Sequence, residues 1–166
     1  MNKQILKSTL IAAAGLLFAN SAMAADTATT TFQVTATVAD SCLVSATPLA
    51  FGAYDPAAVK DGASEITTTC TKGTKYNIGL DAGSNASNAT TPSTRAMTVN
   101  SEYLSYDLYS NIDRNTVWGN TIGTNTVEIS ASLGGEEVHS VYGRIPAGQY
   151  VTAGDYVDTI NVTITF

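Results

Sequence analysis

The stretch Thr159-Ile160-Asn161-Val162-Thr163-Ile164-Thr165-Phe166 alternates polar and apolar residues up to the last position of the chain. Such alternation belongs to a half-buried β-strand, whose successive side chains point to opposite faces. No later segment follows to cover its second edge, and an uncovered apolar edge strand is an aggregation hazard. A second alternating segment, Phe32-Gln33-Val34-Thr35-Ala36-Thr37-Val38, stands alone just before the first cysteine. A domain short of its last strand, with a spare strand at its front, predicts subunits that complete one another.

Residues 1–24 are read as a secretory signal peptide. Lys3 and Lys7 give a positive start, Leu10 to Ala19 is an apolar run too short to span a bilayer, and Ala22-Met23-Ala24 is an A-x-A cleavage site. No other stretch is apolar enough to span a membrane, so no membrane insertion is expected. The formal net charge is −6, and loss of the two leader lysines makes it more negative. The remaining cations, Lys60, Lys72, Lys75, Arg95, Arg114 and Arg144, are scattered. Nucleic acid is therefore not an expected partner, because phosphate neutralisation needs a clustered basic face. For an exported chain with two cysteines, Cys42 and Cys70, the default reading is one disulfide. It should stabilise the fold by about 3.5 kcal/mol in the chain-entropy account.

Nothing in the chain sustains a helical period. Short alternating runs separated by turn residues predict an antiparallel sandwich or barrel. Strands are expected at residues 30–39, at 42–51 with a break at Pro48, at 65–71, and at 75–81. Further strands are expected around Leu104, Tyr106 and Leu108, at 116–118, 127–133 and 138–145, and at the terminal run. Ile66, Thr68 and Cys70 should share one face, as should Tyr76, Ile78 and Leu80. Residues 83–94 read as a polar loop. No repeat or second domain is apparent.

Catalysis has little support. His139, the single histidine, lies in an alternating strand and reads as a solvent-facing or hydrogen-bonded residue. There is no G-x-S-x-G elbow, no C-x-x-C and no D-x-D-x-D-G loop, so neither an enzyme, a metal nor any other cofactor is expected. Asn85, Asn88 and Asn161 match the glycosylation sequon, a weak signal. Tyr103 and Tyr109 have opposite parity to Tyr106. They read as an outward sugar-binding patch or, equally, as cross-strand or intersubunit packing.

Several ordered segments carry a resemblance: Leu49-Ala50-Phe51-Gly52-Ala53-Tyr54; Thr69-Cys70-Thr71-Lys72-Gly73; Tyr76-Asn77-Ile78-Gly79-Leu80-Asp81-Ala82-Gly83; Arg95-Ala96-Met97; Leu104-Ser105-Tyr106-Asp107-Leu108-Tyr109; Trp118-Gly119; Val141-Tyr142-Gly143-Arg144-Ile145-Pro146-Ala147-Gly148-Gln149; and Ala153-Gly154-Asp155-Tyr156-Val157-Asp158-Thr159-Ile160. From Phe32 to Phe166 the order resembles the spore coat protein U family, which includes the Csu-type pilins of archaic chaperone–usher pili. The resemblance implies an all-β, immunoglobulin-like antiparallel sandwich lacking its last strand and completed by donor-strand complementation. It implies a signal peptide at 1–24, a donor-strand extension at 25–41 and a pilin domain at 42–166. Phe32, Val34, Ala36 and Val38 would be donor side chains, with Ala36 smaller than a pocket would favour. Ile160, Val162, Ile164 and Phe166 would line one wall of the acceptor groove, and Cys42 and Cys70 would join the first two body strands.

The implied function is a structural subunit of an adhesive surface pilus supporting attachment and biofilm formation. The implied partners are a periplasmic chaperone, an outer-membrane usher and identical or related subunits. The implied location is the periplasm and then the cell surface. Alternatives are a self-complemented secreted or spore coat protein, and a carbohydrate-binding adhesin module. An extension of about ten residues spans roughly 33 Å, enough to cover the eight-residue terminal strand.

Overall fold

Threonine-, valine- and isoleucine-rich segments punctuated by glycine favour pleated strands over helices. The computed structural model describes residues 25–166; the expected signal peptide lies outside them. Among the described residues there is no α-helix, only nine strands and one short 3-10 turn at Pro92–Thr94. The chain divides into two units, Met1–Ala36 and Thr37–Phe166. In the first, residues 25–36 are exposed and join no ladder.

In the second unit the strands are β1 (Cys42–Ala46), β2 (Lys60–Cys70), β3 (Tyr76–Leu80), β4 (Ala96–Val99), β5 (Glu102–Ser105), β6 (Asp107–Tyr109), β7 (Val127–Ile129), β8 (Gly135–Ile145) and β9 (Val162–Thr165). One sheet has the order β1-β2-β8-β6, the other β7-β3-β9, and β4-β5 form a separate hairpin. Every pairing is antiparallel. Ile66, Val141, Ile145 and Leu108 of the first sheet pack with Tyr76, Ile78 and Leu80 of the second, around Trp118. The expected shared faces hold: Ile66, Thr68 and Cys70 are buried together, as are Tyr76, Ile78 and Leu80.

Several strand expectations need correction: residues 116–118 make only an isolated bridge, Tyr109 to Val117, and the strand expected at 127–133 ends at Ile129. The first body strand stops at Ala46 rather than running to Phe51. The Thr47 hydroxyl oxygen accepts the Glu65 N–H at 3.1 Å in place of a backbone carbonyl, and Pro48 then has no N–H to continue the ladder. The extension at 30–39 is no strand, because it has no ladder partner in this chain. Leu104, Tyr106 and Leu108 are buried, but they do not share one strand. The chain changes sheets at Tyr106, between β5 and β6. Tyr103 and Tyr109 therefore stand on different sheets, and Tyr109 is half-buried. They form no common platform.

Candidate functional site: an open edge between two sheets

The two long edges of the sandwich are finished differently. At one, residues 117–119 stitch the sheets together. Trp118 donates its N–H to the Leu108 carbonyl at 2.8 Å, and the Gly119 carbonyl accepts from the Leu80 N–H at 2.9 Å. The Trp118 indole also donates to the Ile78 carbonyl at 2.8 Å. At the opposite edge β1 and β9 face each other, with Cα atoms within 8 Å, yet they share no ladder.

The register tells which backbone groups are left over. In an antiparallel pair, alternate residues turn their N–H and C=O toward the partner. Thr71 bonds the Ser41 carbonyl and Thr47 bonds the Glu65 carbonyl, each at 2.9 Å. The odd-numbered residues of β1 thus serve β2, and the backbone groups of Cys42, Val44 and Ala46 face the open edge. Asp81 donates to the Asn161 carbonyl at 3.2 Å. The odd-numbered residues of β9 thus serve β3, leaving those of Ile160, Val162 and Ile164 unpaired. On both strands the residues with free backbone groups are those whose side chains point between the sheets. Val44 is inward by register, opposite buried Thr68, yet 42% exposed.

Between these edges lies a cavity of about 440 Å³. Its floor includes Ile66, Leu80, Leu108 and Val141, and its walls include Ala46 to Leu49 with Phe51, and Tyr156 to Ile160 with Val162. Ile160 and Val162 line it, and Ile164 is half-buried against the core. Phe166 is 59% exposed. Phe32, Val34 and Val38 are 86%, 82% and 81% exposed, and Ala36 is exposed too. Cys42 and Cys70 form a disulfide at the outer end of β1 and β2, with Cα atoms 4.1 Å apart. A strand placed between β1 and β9 would need about 9.6 Å between them, two ladder spacings. A strand inserted there would have to spread the edges where they come within 8 Å.

The sequence reading missed the wall opposite β9. Leu49 and Phe51 alternate like strand residues, but they act as a plug. Gly62 and Gly143 sit opposite each other on β2 and β8, and their missing side chains make a cradle for Leu49 and Phe51. Phe51 also meets Tyr106 edge-on, with ring centroids 6.0 Å apart.

Polar groups hold the terminal segment in place. The Tyr106 hydroxyl donates to Asp158 Oδ2 at 2.7 Å, and the Asn85 side chain donates to Asp158 Oδ1 at 3.0 Å. Burial, reinforced by Asp158, raises the Tyr106 phenol well above its usual range. Gly83, at φ +86°, admits the Asp158 carboxylate where a Cβ would lie 2.1 Å from it. Arg95 is fully buried and donates to the carbonyls of Leu80, Asp81 and Trp118 at 2.6–3.1 Å. Burial lowers its pKa against the opposing pull of Tyr106 and nearby carboxylates.

The remaining candidates are accounted for structurally. His139 Nε2 lies 3.0 Å from the Thr68 hydroxyl and 3.3 Å from that of Tyr76, an inter-sheet hydrogen-bonded residue. Asn85 and Asn161 commit their side-chain amides to Asp158 and Asp81; Asn88 and Asn161 are exposed and Asn85 is half-buried. Among the described residues no cluster of three or more histidine, cysteine or acidic residues could hold a metal ion. No described helix is long and apolar enough to cross a membrane.

Comparison with known proteins bears on the family and the fold. The chain is 36% identical over 171 residues to Protein U of Myxococcus xanthus, covering 94% of each. In fold it is similar to a chain in the crystal structure of the CsuC–CsuE chaperone–tip adhesion subunit pre-assembly complex from the archaic chaperone–usher Csu pili of Acinetobacter baumannii. That likeness has a TM-score of 0.53 at 24% identity, covering 78% of this chain and 40% of that one. The spore coat protein U domain matches residues 28–163, and the chain belongs to that family of structural, non-enzymatic proteins.

Proposed function

We propose that this protein is a subunit of an adhesive surface pilus, assembled by donor-strand exchange through a chaperone and an usher. The observation that carries the reading is the slot between β1 and β9, with unpaired backbone groups on both rims and apolar side chains beneath. Strand addition to such an edge supplies main-chain hydrogen bonds for affinity and pockets for alternate side chains.

In this reading Phe32, Val34, Ala36 and Val38 enter the slot. Their parity is right, since even-numbered donor residues can pair with Ile160, Val162 and Ile164 while all point inward. Phe166 would then be covered by the incoming strand. Burying Phe32, Val34 and Val38 contributes about 1.5–3 kcal/mol each before ordering entropy is subtracted, and each ladder bond adds roughly 1 kcal/mol. An unfilled slot is an apolar surface that needs cover. A periplasmic chaperone is therefore the first partner, in keeping with the chaperone complex whose fold the chain resembles. Residues 1–24 act as the export signal, 25–41 as the donor and 42–166 as the acceptor body. Head-to-tail donation is heterologous and generates open filaments. Biofilm support follows as the role of the fibre at the cell surface.

Self-complementation is disfavoured by the chain's own attachments. Ala39 and Asp40 are bonded to Thr71 and Thr74, so no free residue remains there for a reversing turn. The test is deletion of residues 25–39, which should leave a chaperone-bound subunit unable to extend a fibre. Wild-type protein should form a gel ladder that collapses only on boiling. Polymers of normal length from the deletion, or a stable solitary wild-type subunit without a chaperone, would overturn the proposal.

A further inference from the structure

The chain is fastened to the body up to the residue where the proposed donor segment ends. The Thr71 hydroxyl donates to the Ala39 carbonyl at 3.1 Å, and the Thr74 hydroxyl donates to Asp40 Oδ1 at 2.8 Å. The Thr71 N–H bonds the Ser41 carbonyl at 2.9 Å. These donors lie on a turn that is itself fixed. Thr74 donates its N–H to the Thr71 carbonyl at 3.1 Å, and Gly73 and Ser132 close a reciprocal pair of 2.8 Å bonds with Ser132 and Thr74. Thr74 and Ser132 are buried, and Gly73 takes φ +87° to make the turn. Asp40, by contrast, is exposed. Without this bonding it would be an ordinary mobile connector residue.

We propose that Thr71, Thr74 and Asp40 form a rigid joint that sets the angle between one subunit and the second copy that receives its extension. The inference rests on the donor-strand reading. Val38 is the last donor residue, so once it is seated in a neighbour the next carbonyl is already bonded to its own body. Three free residues, 39–41, would let successive bodies swing, because each contributes two soft dihedrals. Bonded at all three positions, they transmit orientation from body to body. Thr71, Thr74 and Asp40 are thus positioning residues that act on fibre stiffness and leave the strength of the strand-exchanged contact alone.

The test compares full-chain fibres assembled with their chaperone and usher, imaged by negative-stain electron microscopy. Asp40→Ala combined with Thr71→Val removes both side-chain ties while leaving the donor and the slot untouched. Persistence length should fall at least twofold, with the boiling resistance of the polymer unchanged. Asp40→Asn alone keeps an oxygen acceptor for Thr74 and should retain wild-type stiffness. Because Asp40 is exposed, Asp40→Ala by itself provides a variant that folds, and it should loosen the fibre partway. Wild-type stiffness in the double variant would overturn the joint, as would equal loosening by Asp40→Asn and Asp40→Ala. Failure of the wild-type chain to form strand-exchanged polymers is a separate result, visible before stiffness is measured; it removes the donor-strand reading and the joint with it.

Discussion

Replacing Gly143 with alanine should cost little in the empty subunit and much more in the assembled one. A Cβ at this position would lie 2.7 Å from Phe51 Cζ, 2.9 Å from its Cε1 and 3.0 Å from Leu49 Cδ1. Carbon atoms are comfortable at about 3.5–4.0 Å, so the ring must retreat by roughly 1 Å. Gly143 is buried on β8, with β2 on one side and β6 on the other, and its backbone has little room to give. Phe51 does have room, because it lines the cavity. With the slot empty, the penalty should sit near the bottom of the ~1–3 kcal/mol range for overpacking. With a donor strand seated, the retreat is blocked and the penalty should reach the top of that range. A difference of about 2 kcal/mol weakens donor-strand binding roughly 30-fold. The assay is binding of a synthetic peptide of residues 30–39 to the chaperone-released subunit, alongside the temperature at which polymers dissociate. Adding Phe51→Leu should restore much of the loss by removing ring atoms from the cradle. Peptide affinity and polymer dissociation equal to wild type in Gly143→Ala would refute the cradle account.

Three further outcomes are expected. Phe32→Ala should weaken the subunit–subunit contact by about 3 kcal/mol, near the lower end for phenylalanine truncation in a core, read as a lower polymer dissociation temperature; an unchanged temperature would exclude Phe32 from the slot. Burial lowers the pKa of His139 below 6.5, so the unfolded chain binds the extra proton first as pH falls; stability should be full above about pH 6.5, decline as pH drops toward the lowered folded value and level off beneath it, and His139→Gln should flatten that step in denaturant titrations. Arg95→Met should destabilise the body by several kcal/mol, because the three carbonyls it serves each lose a buried donor at about 1–3 kcal/mol apiece, with Arg95→Lys recovering only part of it because an ammonium lacks the planar fork that reaches three carbonyls; a melting temperature within a degree of wild type would refute this.

Much of the strand pattern was legible because alternation reports which face is buried. The terminal run, Ile66-Thr-Thr68-Thr-Cys70 and Tyr76-Asn-Ile78-Gly-Leu80 were placed by period two alone. The hairpin β4–β5 was not foreseen, because Ala96 to Val99 is short and lacks a clean alternation. Tyr106 misled for a different reason. Period two ran unbroken through Leu104, Tyr106 and Leu108, and nothing local marked the change of sheet. The wall made by Leu49 and Phe51 was hidden as well, since it depends on Gly62 and Gly143, both distant in sequence. Two inward glycines directly opposed across β2 and β8 are the signal that would find such a cradle, once the register is known.

The amino-acid sequence by itself determined the all-β class, the face that each long strand buries, the pairing of its two cysteines and the spare alternating segment near its front. These follow from side-chain chemistry and near-neighbour periodicity, which act over a few residues. Tertiary structure alone decided that one sandwich edge is stitched by Trp118 and Gly119 while the other is left open between β1 and β9. It also decided that Arg95 lies buried beneath the end of β3 and that Thr71 and Thr74 hold the root of the extension. Each of these depends on which backbone hydrogen-bonding groups remain unpaired after non-local strands have met. No local window of sequence contains that information.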